Sequence, residues 1–230
     1  MNWSLIIPAA GTGSRFGGEL PKQFLPLKGR PLIAHTIESF LDERDLSEVV
    51  VAVSPDRRVW FDDLVNGLGW SDQVRSIAGG ATRQQSVSLA VASLRLTDTL
   101  VIAVHDAVRP FLKSSILRAA LKGAEDHGAS LVAIPVVDTI HRVEDRLIVE
   151  TPQRDHLVAA QTPQCFRASI LIDILNRAGG DGLEASDEAG LAVHYGYPVR
   201  IIEGDAANFK ITRPEDWSVA DANYELWRSR

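Results

Sequence analysis

Two cations, Arg15 and Lys22, lie in a glycine-rich stretch that follows an apolar run near the N-terminus. The run at residues 5–10 is typical of a strand, and Gly11 and Gly13 open the loop that comes after it. Glycines permit positive φ, which allows successive backbone N–H groups to point at one phosphate. Arg offers a planar set of N–H donors and Lys a compact positive charge, so together they can bind several phosphate oxygens. The stretch therefore predicts the phosphate end of a nucleotide site.

This loop fits neither of two familiar phosphate-binding templates. It lacks the G-K-[ST] of a P-loop, and the third glycine of G-x-G-x-x-G would fall at Phe16. Pro21 also interrupts the helix that a dinucleotide-binding fold needs at this point. Since a strand followed by a glycine-rich turn begins many α/β domains, an ordinary turn is the alternative interpretation of the loop by itself.

The overall composition is that of a globular protein and argues against two functional classes. The chain has 230 residues, 45% of them hydrophobic, and a formal net charge of −6. General nucleic-acid binders and proteins of anionic membrane surfaces need a basic field, which this charge does not provide. Cys165 is the single cysteine, which precludes an intramolecular disulfide and fits a reducing cytoplasm. The first apolar run is too short for a signal peptide or a membrane span.

The hydrophobic pattern predicts strands that alternate with helices. Strands are expected near residues 5–9, 48–53, 73–77, 99–104, 130–134 and 198–203. Helices are expected near residues 31–41, 54–64, 82–94, 114–126 and 168–178, and from Pro214 onward. A glycine turn is expected at residues 179–182 and a helix N-cap at residues 186–189. Continuous β-branched strands are covered on both faces, so the predicted class is α/β, a mainly parallel sheet with helices on both faces, in one domain spanning residues 1–230. Ligands bind at the carboxyl ends of such strands. The loops at 11–22, 79–86 and 106–109 all follow strands, which strengthens the prediction of a site.

Residues 137–156, hereafter the arm, interrupt this alternation. Both halves of the arm alternate apolar and polar residues around a polar Glu144-Asp145 turn, a pattern that predicts a β-hairpin. An isolated two-stranded hairpin is only marginally stable in water. The arm is therefore expected to pack on something, either a second subunit or the protein's own site as a flap.

Several sequence blocks, taken together and in order, carry a family resemblance. They are Pro8-Ala9-Ala10-Gly11-x-Gly13-x-Arg15, Pro21-Lys22-Gln23, His105-Asp106-Ala107-x-Arg109-Pro110, Gln161-Thr162-Pro163-Gln164, Ser186-Asp187-Glu188-Ala189 and Asn208-x-Lys210-Ile211-Thr212-x-Pro214-Glu215-Asp216. The chain resembles the 2-C-methyl-D-erythritol 4-phosphate cytidylyltransferase family over nearly its whole length. The resemblance implies a Rossmann-like nucleotidyltransferase fold. It also implies a reaction in which CTP and 2-C-methyl-D-erythritol 4-phosphate give 4-diphosphocytidyl-2-C-methyl-D-erythritol and pyrophosphate, with Mg²⁺ or another divalent cation.

The resemblance also implies roles for individual residues. Catalytic roles are implied for the cations Arg15, Lys22, Arg154 and Lys210. Nucleotide contacts are implied for Ala9, Ala10, Gly11, Gly13, Gly80, Ala81 and Ser86, and contacts to the second substrate for Asp106, Ala107, Arg109, Thr139, Thr162 and Ser186. Asp106 is the expected metal ligand, with Asn208 as a second metal contact.

Some of these implied roles have structural alternatives. A strand residue is the alternative for Thr139 and a helix cap for Ser186. For Asp106 the alternative is a helix cap or a partner to Arg109. Some members of the family carry an acid where this chain has Ala81, so selection of the base is expected to rest on backbone groups and Ser86.

The resemblance further implies a cytoplasmic homodimer joined through the arm, with Arg154 acting in its own chain or in the neighbouring subunit. Three other functions stay open from the sequence. One is a CTP transferase for another sugar-alcohol phosphate such as ribitol 5-phosphate, which would share the nucleotide half of the site. The second is a nucleotide-binding module without turnover. The third is a Rossmann oxidoreductase, which the displaced glycine and Pro21 disfavour.

Overall fold

A seven-stranded sheet forms the centre of the computed structural model, which describes residues 2–11, 20–95 and 101–228. The strands are β1 (Trp3–Ala9), β2 (Pro26–Leu27), β3 (Arg30–Pro31), β4 (Leu46–Val53), β5 (Val74–Ala78), β6 (Val101–Val104), β7 (Ala129–Pro135), β8 (Arg142–Glu144), β9 (Leu147–Glu150), β10 (Val158–Arg167) and β11 (Arg200–Glu203). The central order is β11-β7-β10-β6-β1-β4-β5, while β2 pairs with β3 and β8 pairs with β9. β10 runs antiparallel to both of its neighbours, and the other central pairs are parallel. The predicted mainly parallel sheet is confirmed.

Helices cover both faces of this sheet, as the sequence predicted. They are α1 (Leu32–Leu41), α2 (Arg58–Gly67), α3 (Arg83–Ser93), α4 (Ser114–His127), α5 (Ala168–Asp181), α6 (Glu188–His194) and α7 (Pro214–Arg228). In β1, Leu5 and Ile7 belong to the core on the side of α1, α2 and α4, whereas Ile6 belongs to the core on the side of α3, α5 and α6. Side chains of a strand alternate between faces, so a continuous apolar strand is buried on both sides.

Two local predictions near α5 and α6 were wrong in detail. Gly179 and Gly180, which were expected to form a turn, lie inside α5, and the helix ends at Asp181 with Gly182 as its C-cap at a φ of +64°. That left-handed conformation is one that glycine adopts without steric penalty. The cap of α6 is Asp187, whose carboxylate accepts a hydrogen bond from the backbone N–H of Gly190 at 2.9 Å. Ser186 precedes this cap, so the helix-cap alternative for Ser186 does not hold.

The arm forms the predicted hairpin, with its turn at Asp145 and Arg146 rather than at Glu144-Asp145. Its apolar side chains face solvent: Leu147 is 70% exposed and Ile148 61% exposed. The arm is thus a protrusion whose apolar surface is left uncovered by the described part of its own chain. None of the helices in the described ranges combines the length and the apolar character that crossing a membrane requires.

Candidate active site

A cavity of about 240 Å³ opens where β1 and β6 end, next to the loop that follows β5. The described residues that line it are Pro8, Ala9, Ala10, Gly11, Lys22, Gln23, Gly80, Ala81, Thr82, Arg83, Ser86, Asp106, Ala107, Val108 and Lys210. This is the carboxyl edge of the parallel strands, where α/β sheets bind ligands. The segments that the sequence predicted to form a site therefore meet at one place.

The loop at residues 79–86 is held in shape by its own hydrogen bonds. The backbone N–H of Gly80 donates to Ser86 Oγ at 3.1 Å, and Ser86 Oγ donates to the carbonyl of Thr82 at 2.9 Å. The N–H of Ala81 donates to Gln85 Oε1 at 3.0 Å. The Ser86 hydroxyl has thus committed its single proton within the loop, so that it can meet a ligand only as an acceptor.

Gly79 brings this loop against the first one. A Cβ atom built on Gly79 would overlap the Cβ of Ala10, so no side chain fits there without displacing the residues around it. The N–H of Gly79 donates to the carbonyl of Val53 at 2.7 Å, which fixes the loop to the end of β4. The close approach explains why small residues occupy both loops.

Gln23 shapes the other wall of the cavity. Its side-chain amide donates to the carbonyls of Ala9 and Gly11, both at 2.8 Å. Lys22 precedes Gln23 in a short 3₁₀ helix and lines the cavity. Gly13 and Arg15, two of the residues predicted from the sequence, lie outside the described residues.

Asp106 is the centre of charge in the site. Its Oδ2 lies 3.1 Å from Lys210 Nζ and 3.1 Å from Arg109 Nε, and its Oδ1 lies 3.8 Å from Arg83 Nε. Burial acts to raise the pKa of Asp106, but the three cations outweigh it and hold that pKa well below its usual range. Asp106 is therefore ionised at neutral pH and can orient Lys210.

His105 and Thr162 form a hydrogen-bonded relay behind Asp106. His105 Nε2 lies 3.0 Å from the carbonyl of Arg109, which can only accept, so this ring nitrogen carries the proton. Burial lowers the pKa of His105 to about 4, so the ring is neutral and its Nδ1 accepts from Thr162 Oγ1 at 3.0 Å. Thr162 Oγ1 in turn accepts the backbone N–H of Asp106 at 3.1 Å. Since Thr162 has no proton left to donate, a ligand hydroxyl is a better partner for it than a phosphate oxygen.

The structure brings most of the predicted site residues together. Those that line the cavity are Ala9, Ala10, Gly11, Gly80, Ala81, Ser86, Lys22, Asp106, Ala107 and Lys210. Arg109 and Thr162 lie directly behind it, because both hydrogen-bond to Asp106.

Three predicted residues do not line the cavity of their own chain. Arg154 and Thr139 are exposed on the arm, and Arg154 donates to the carbonyl of Val137 at 2.8 Å. Ser186 is exposed beside α6.

Sequence reasoning missed two members of the site. Arg83 lines the cavity and pairs with Glu188, a carboxylate that is only 1% exposed. Gln23 belonged to a motif but was given no role, although it binds two carbonyls of the first loop. Because Glu188 follows a helix N-cap, the sequence predicts an exposed acid in the first turn of the helix. Only the tertiary structure, which brings the first residues of α3 and α6 together, shows that it is buried.

Two side-chain oxygen atoms, one on Asp106 and one on Asn208, are of the kind that a hard divalent cation prefers. Asn208 is fully buried, and among the described residues its Oδ1 has no hydrogen-bond partner. The Oδ1 of Asp106 keeps its lone pairs, because Arg83 at 3.8 Å is too far away for a hydrogen bond. The described ranges hold no group of three His, Cys, Asp or Glu side chains that could bind a metal by themselves. A magnesium ion here would need ligand phosphates to complete its shell, which is how Mg²⁺ is usually held.

Comparison with known proteins gives one consistent family. The family model described as 2-C-methyl-D-erythritol 4-phosphate cytidylyltransferase matches residues 3–225. A protein of that name from Acidobacterium capsulatum is 39% identical over 225 residues, with 94% of each chain covered. Its namesake from Symbiobacterium thermophilum is 40% identical over 223 residues, covering 95% of this chain and 91% of its own. The crystal structure of the Thermus thermophilus protein with this name is 36% identical with a TM-score of 0.81, covering 98% of this chain and 100% of that one.

Proposed function

The chain belongs to the 2-C-methyl-D-erythritol 4-phosphate cytidylyltransferase family, and on that premise we propose that its cavity joins CTP to 2-C-methyl-D-erythritol 4-phosphate. The products are 4-diphosphocytidyl-2-C-methyl-D-erythritol and pyrophosphate. The protein is then a CTP-dependent nucleotidyltransferase of isoprenoid biosynthesis. The observation that carries this proposal is the meeting of Lys22, Lys210 and Asp106 with two loops of small residues in one cavity.

The reaction needs charge compensation more than it needs an activated nucleophile. An oxygen of the phosphate monoester attacks the α-phosphorus of CTP, and the bond from that phosphorus to the oxygen of the leaving pyrophosphate breaks. A phosphate dianion is already nucleophilic, so catalysis comes from positioning and from stabilising the negative charge that accumulates. Arg15 and Lys22 would cover the α-phosphate and the leaving pyrophosphate. Lys210, oriented by Asp106, would hold the attacking phosphate against the nucleotide.

The nucleotide and the second substrate would enter from different sides of the cavity. The base would lie between the loop at 79–86 and Ala9-Ala10, where backbone groups and the acceptor oxygen of Ser86 face it. Arg109 would help to fix the sugar-alcohol phosphate, while Ala107 would approach it through its backbone. Thr162 would accept from a hydroxyl of that substrate, because its own proton is committed to His105.

Mg²⁺, or another divalent cation, fits the donor set of Asp106 and Asn208 described above. When bound with the triphosphate, the ion would neutralise phosphate charge. The carboxylate of Asp106 would hold it, and the amide oxygen of Asn208 would be its second protein contact. This arrangement uses one carboxylate, which is common for magnesium bound together with phosphates.

A homodimer joined through the arm would complete the site. Arg154 and Thr139 lie on the exposed arm and outside the cavity of their own chain, yet both are expected to contact the second substrate. Docking of the arm on a second copy would cover its apolar side chains and carry these two residues to the neighbouring cavity. Ser186 would complete that side of the site from the segment that precedes α6. The cytoplasm is the compartment we propose, because Cys165 is the single cysteine and is fully buried.

The deciding experiment measures pyrophosphate release with CTP and 2-C-methyl-D-erythritol 4-phosphate in the presence of Mg²⁺. Release that requires both substrates is the expected result. Much faster release with ribitol 5-phosphate would show that 2-C-methyl-D-erythritol 4-phosphate is not the second substrate. CTP binding without release under any condition would favour a nucleotide-binding module, and tight NAD binding would favour an oxidoreductase.

A further inference from the structure

One arginine lies between two carboxylates that belong to different parts of the site. Arg83 is the first residue of α3, and its Nη1 donates to both oxygens of Glu188 at 2.7 and 2.8 Å. Its Nε faces Asp106 Oδ1 at 3.8 Å. A planar guanidinium can address two acids in different directions, which a lysine ammonium on a flexible stem does less well.

Glu188 is buried, with 1% of its side chain exposed, whereas Arg83 keeps 29% of its side chain exposed at the cavity, so fold stability alone is a weak reason for this ion pair. Burial raises the pKa of Glu188, and the adjacent guanidinium acts against that rise. Taking two charges out of water costs free energy that their attraction often fails to recover, and apolar pairs of similar volume are frequently as stable. A pair of this kind at the edge of the cavity therefore needs another explanation.

Arg83 and its neighbour Gln84 connect the start of α3 to the segment at residues 183–187, hereafter the Ser186 loop, and to Glu188 that follows it. Gln84, next to Arg83, donates to the carbonyl of Leu183 at 2.9 Å and accepts from the N–H of Ala185 at 3.0 Å. Glu188 follows the Ser186 loop directly. Arg83 and Gln84 together therefore hold the loop at both of its ends.

The glycine end of the loop at residues 79–86 keeps its own contacts, which do not depend on this clamp. Its internal bonds from Gly80 and Ala81 to Ser86 and Gln85 keep its shape without any contact to Glu188. Loss of the Arg83 contacts should therefore displace the Ser186 loop and remove one of the three cations that face Asp106, while leaving the nucleotide loop in place. Ser186 and Asp106 are expected to contact the sugar-alcohol phosphate. Loss of the Arg83 contacts should therefore weaken the binding of that substrate more than the binding of CTP.

We propose that Arg83 is a positioning residue that fixes the second-substrate side of the site, by tying the Ser186 loop through Glu188 and facing Asp106 with the same guanidinium. This inference rests on the proposed function for its kinetic consequence. Its structural part, the clamp on the Ser186 loop, can be measured without turnover.

The kinetic test compares Arg83→Lys and the double variant Arg83→Met/Glu188→Leu with the wild type. Arg83→Lys should raise the KM for the sugar-alcohol phosphate about tenfold and leave the KM for CTP within about twofold. The double variant should unfold at nearly the wild-type denaturant concentration, because an apolar pair replaces an ion pair whose carboxylate is buried. It should nevertheless show at least the same rise in KM. Wild-type kinetics in a stable double variant would overturn the proposal, and so would an equal rise of both KM values.

The matched control is Arg75→Lys. Arg75 binds the largely buried Glu48 at 2.8 Å, on β5 and away from the cavity. This variant likewise removes a guanidinium that pairs with a buried carboxylate, and it should leave both KM values unchanged.

Hydrogen exchange separates failure of this inference from failure of the proposed function. Amide exchange in residues 183–189 should become faster in Arg83→Lys and stay at the wild-type rate in Arg75→Lys. Unchanged exchange in this segment would overturn the positioning role, even in a fully active enzyme. Absence of pyrophosphate release in the wild type would instead overturn the proposed function, and the exchange comparison would still decide whether Arg83 fixes the loop.

Discussion

Lys22 is the residue from which the strongest kinetic effect is expected. The charge that it would face increases as the α-phosphorus becomes five-coordinate, so its contribution should be larger in the transition state than in the bound nucleotide. Lys22→Ala should therefore lower kcat about 100-fold or more and change the KM for CTP only a few-fold. Steady-state pyrophosphate release measures both.

The control for this prediction is Lys122→Ala, since Lys122 is exposed on α4 and pairs with Asp126 one turn away. It should behave as the wild type. Equal losses in kcat and in CTP affinity for Lys22→Ala would leave Lys22 with a binding role alone.

His105 should make the stability of the fold depend on pH. Its folded pKa is about 4 against 6.5 for an exposed histidine, because burial disfavours the charged ring. Between these pH values the unfolded chain binds a proton at His105 that the folded chain does not. The contribution of His105 to the free energy of unfolding is therefore fully present above about pH 6.5 and is lost as the pH falls toward 4. The loss is roughly 3 kcal/mol over that window.

His105→Gln, which keeps an N–H donor for the carbonyl of Arg109, removes this titration. Urea unfolding at a series of pH values should show a flatter profile for the variant than for the wild type in that range. Asp106 titrates below the window because its pKa is depressed, and Glu188 acts with the opposite sign in both proteins. Parallel profiles for the two proteins would show that His105 is not the source.

At the level of elements, the arm is expected to carry the dimer contact. Deleting residues 140–149 removes most of the exposed apolar surface of the hairpin, including Leu147 and Ile148. We expect the intact protein to sediment as a dimer of its 25.1 kDa chain, and the deletion variant as a monomer. A milder change, Ile148→Lys, should weaken the dimer without shortening the chain, because it places a charge in an apolar contact. A monomeric wild type, or a dimeric deletion variant, would contradict the arm's role.

The elements also show how far the sequence could predict this structure. Continuous apolar runs predicted β1, β4 and β6, because burial on both faces leaves a clear composition. β10 has no such pattern, since its middle residues, 161–164, are largely polar and bind other buried polar groups, as Gln164 does to the N–H of Ala189. Its antiparallel direction is set by tertiary pairing with β6 and β7, which no local pattern records.

The same distinction applies to the site. The Gly80 and Ala81 loop follows a strand and could be located by its small residues. Contacts between distant segments, such as Arg83 with Glu188, depend on how the fold brings the first residues of α3 and α6 together. No local spacing encodes them.

At the level of the whole molecule, the question is whether each site draws on two chains. Lys22 lines the cavity of its own chain, whereas Arg154 lies on the arm. If Arg154 acts in the neighbouring subunit, mixing and reassembling Lys22→Ala and Arg154→Ala proteins restores one intact site per mixed dimer. Random reassembly should then give about a quarter of wild-type activity, as half of the dimers are mixed and each has one of two sites intact.

The control is each variant reassembled with itself, which should keep only the low residual activity of that variant. Without any recovery in the mixture, Arg154 would have to act within its own chain. Recovery above the level of both controls requires a shared site.

The position of β10 also affects the order in which the protein can be completed during synthesis. β6 and β7 are both paired with β10 and lie on opposite sides of it. Until residues 158–167 have left the ribosome, β6 has an open edge, and the backbone N–H of Asp106 lacks the threonine hydroxyl that it binds in the finished fold. Long-range pairings of this kind form late, since they join segments far apart in sequence. The pairing of β10 thus closes this edge of β6 and brings Thr162 to Asp106 in the same event.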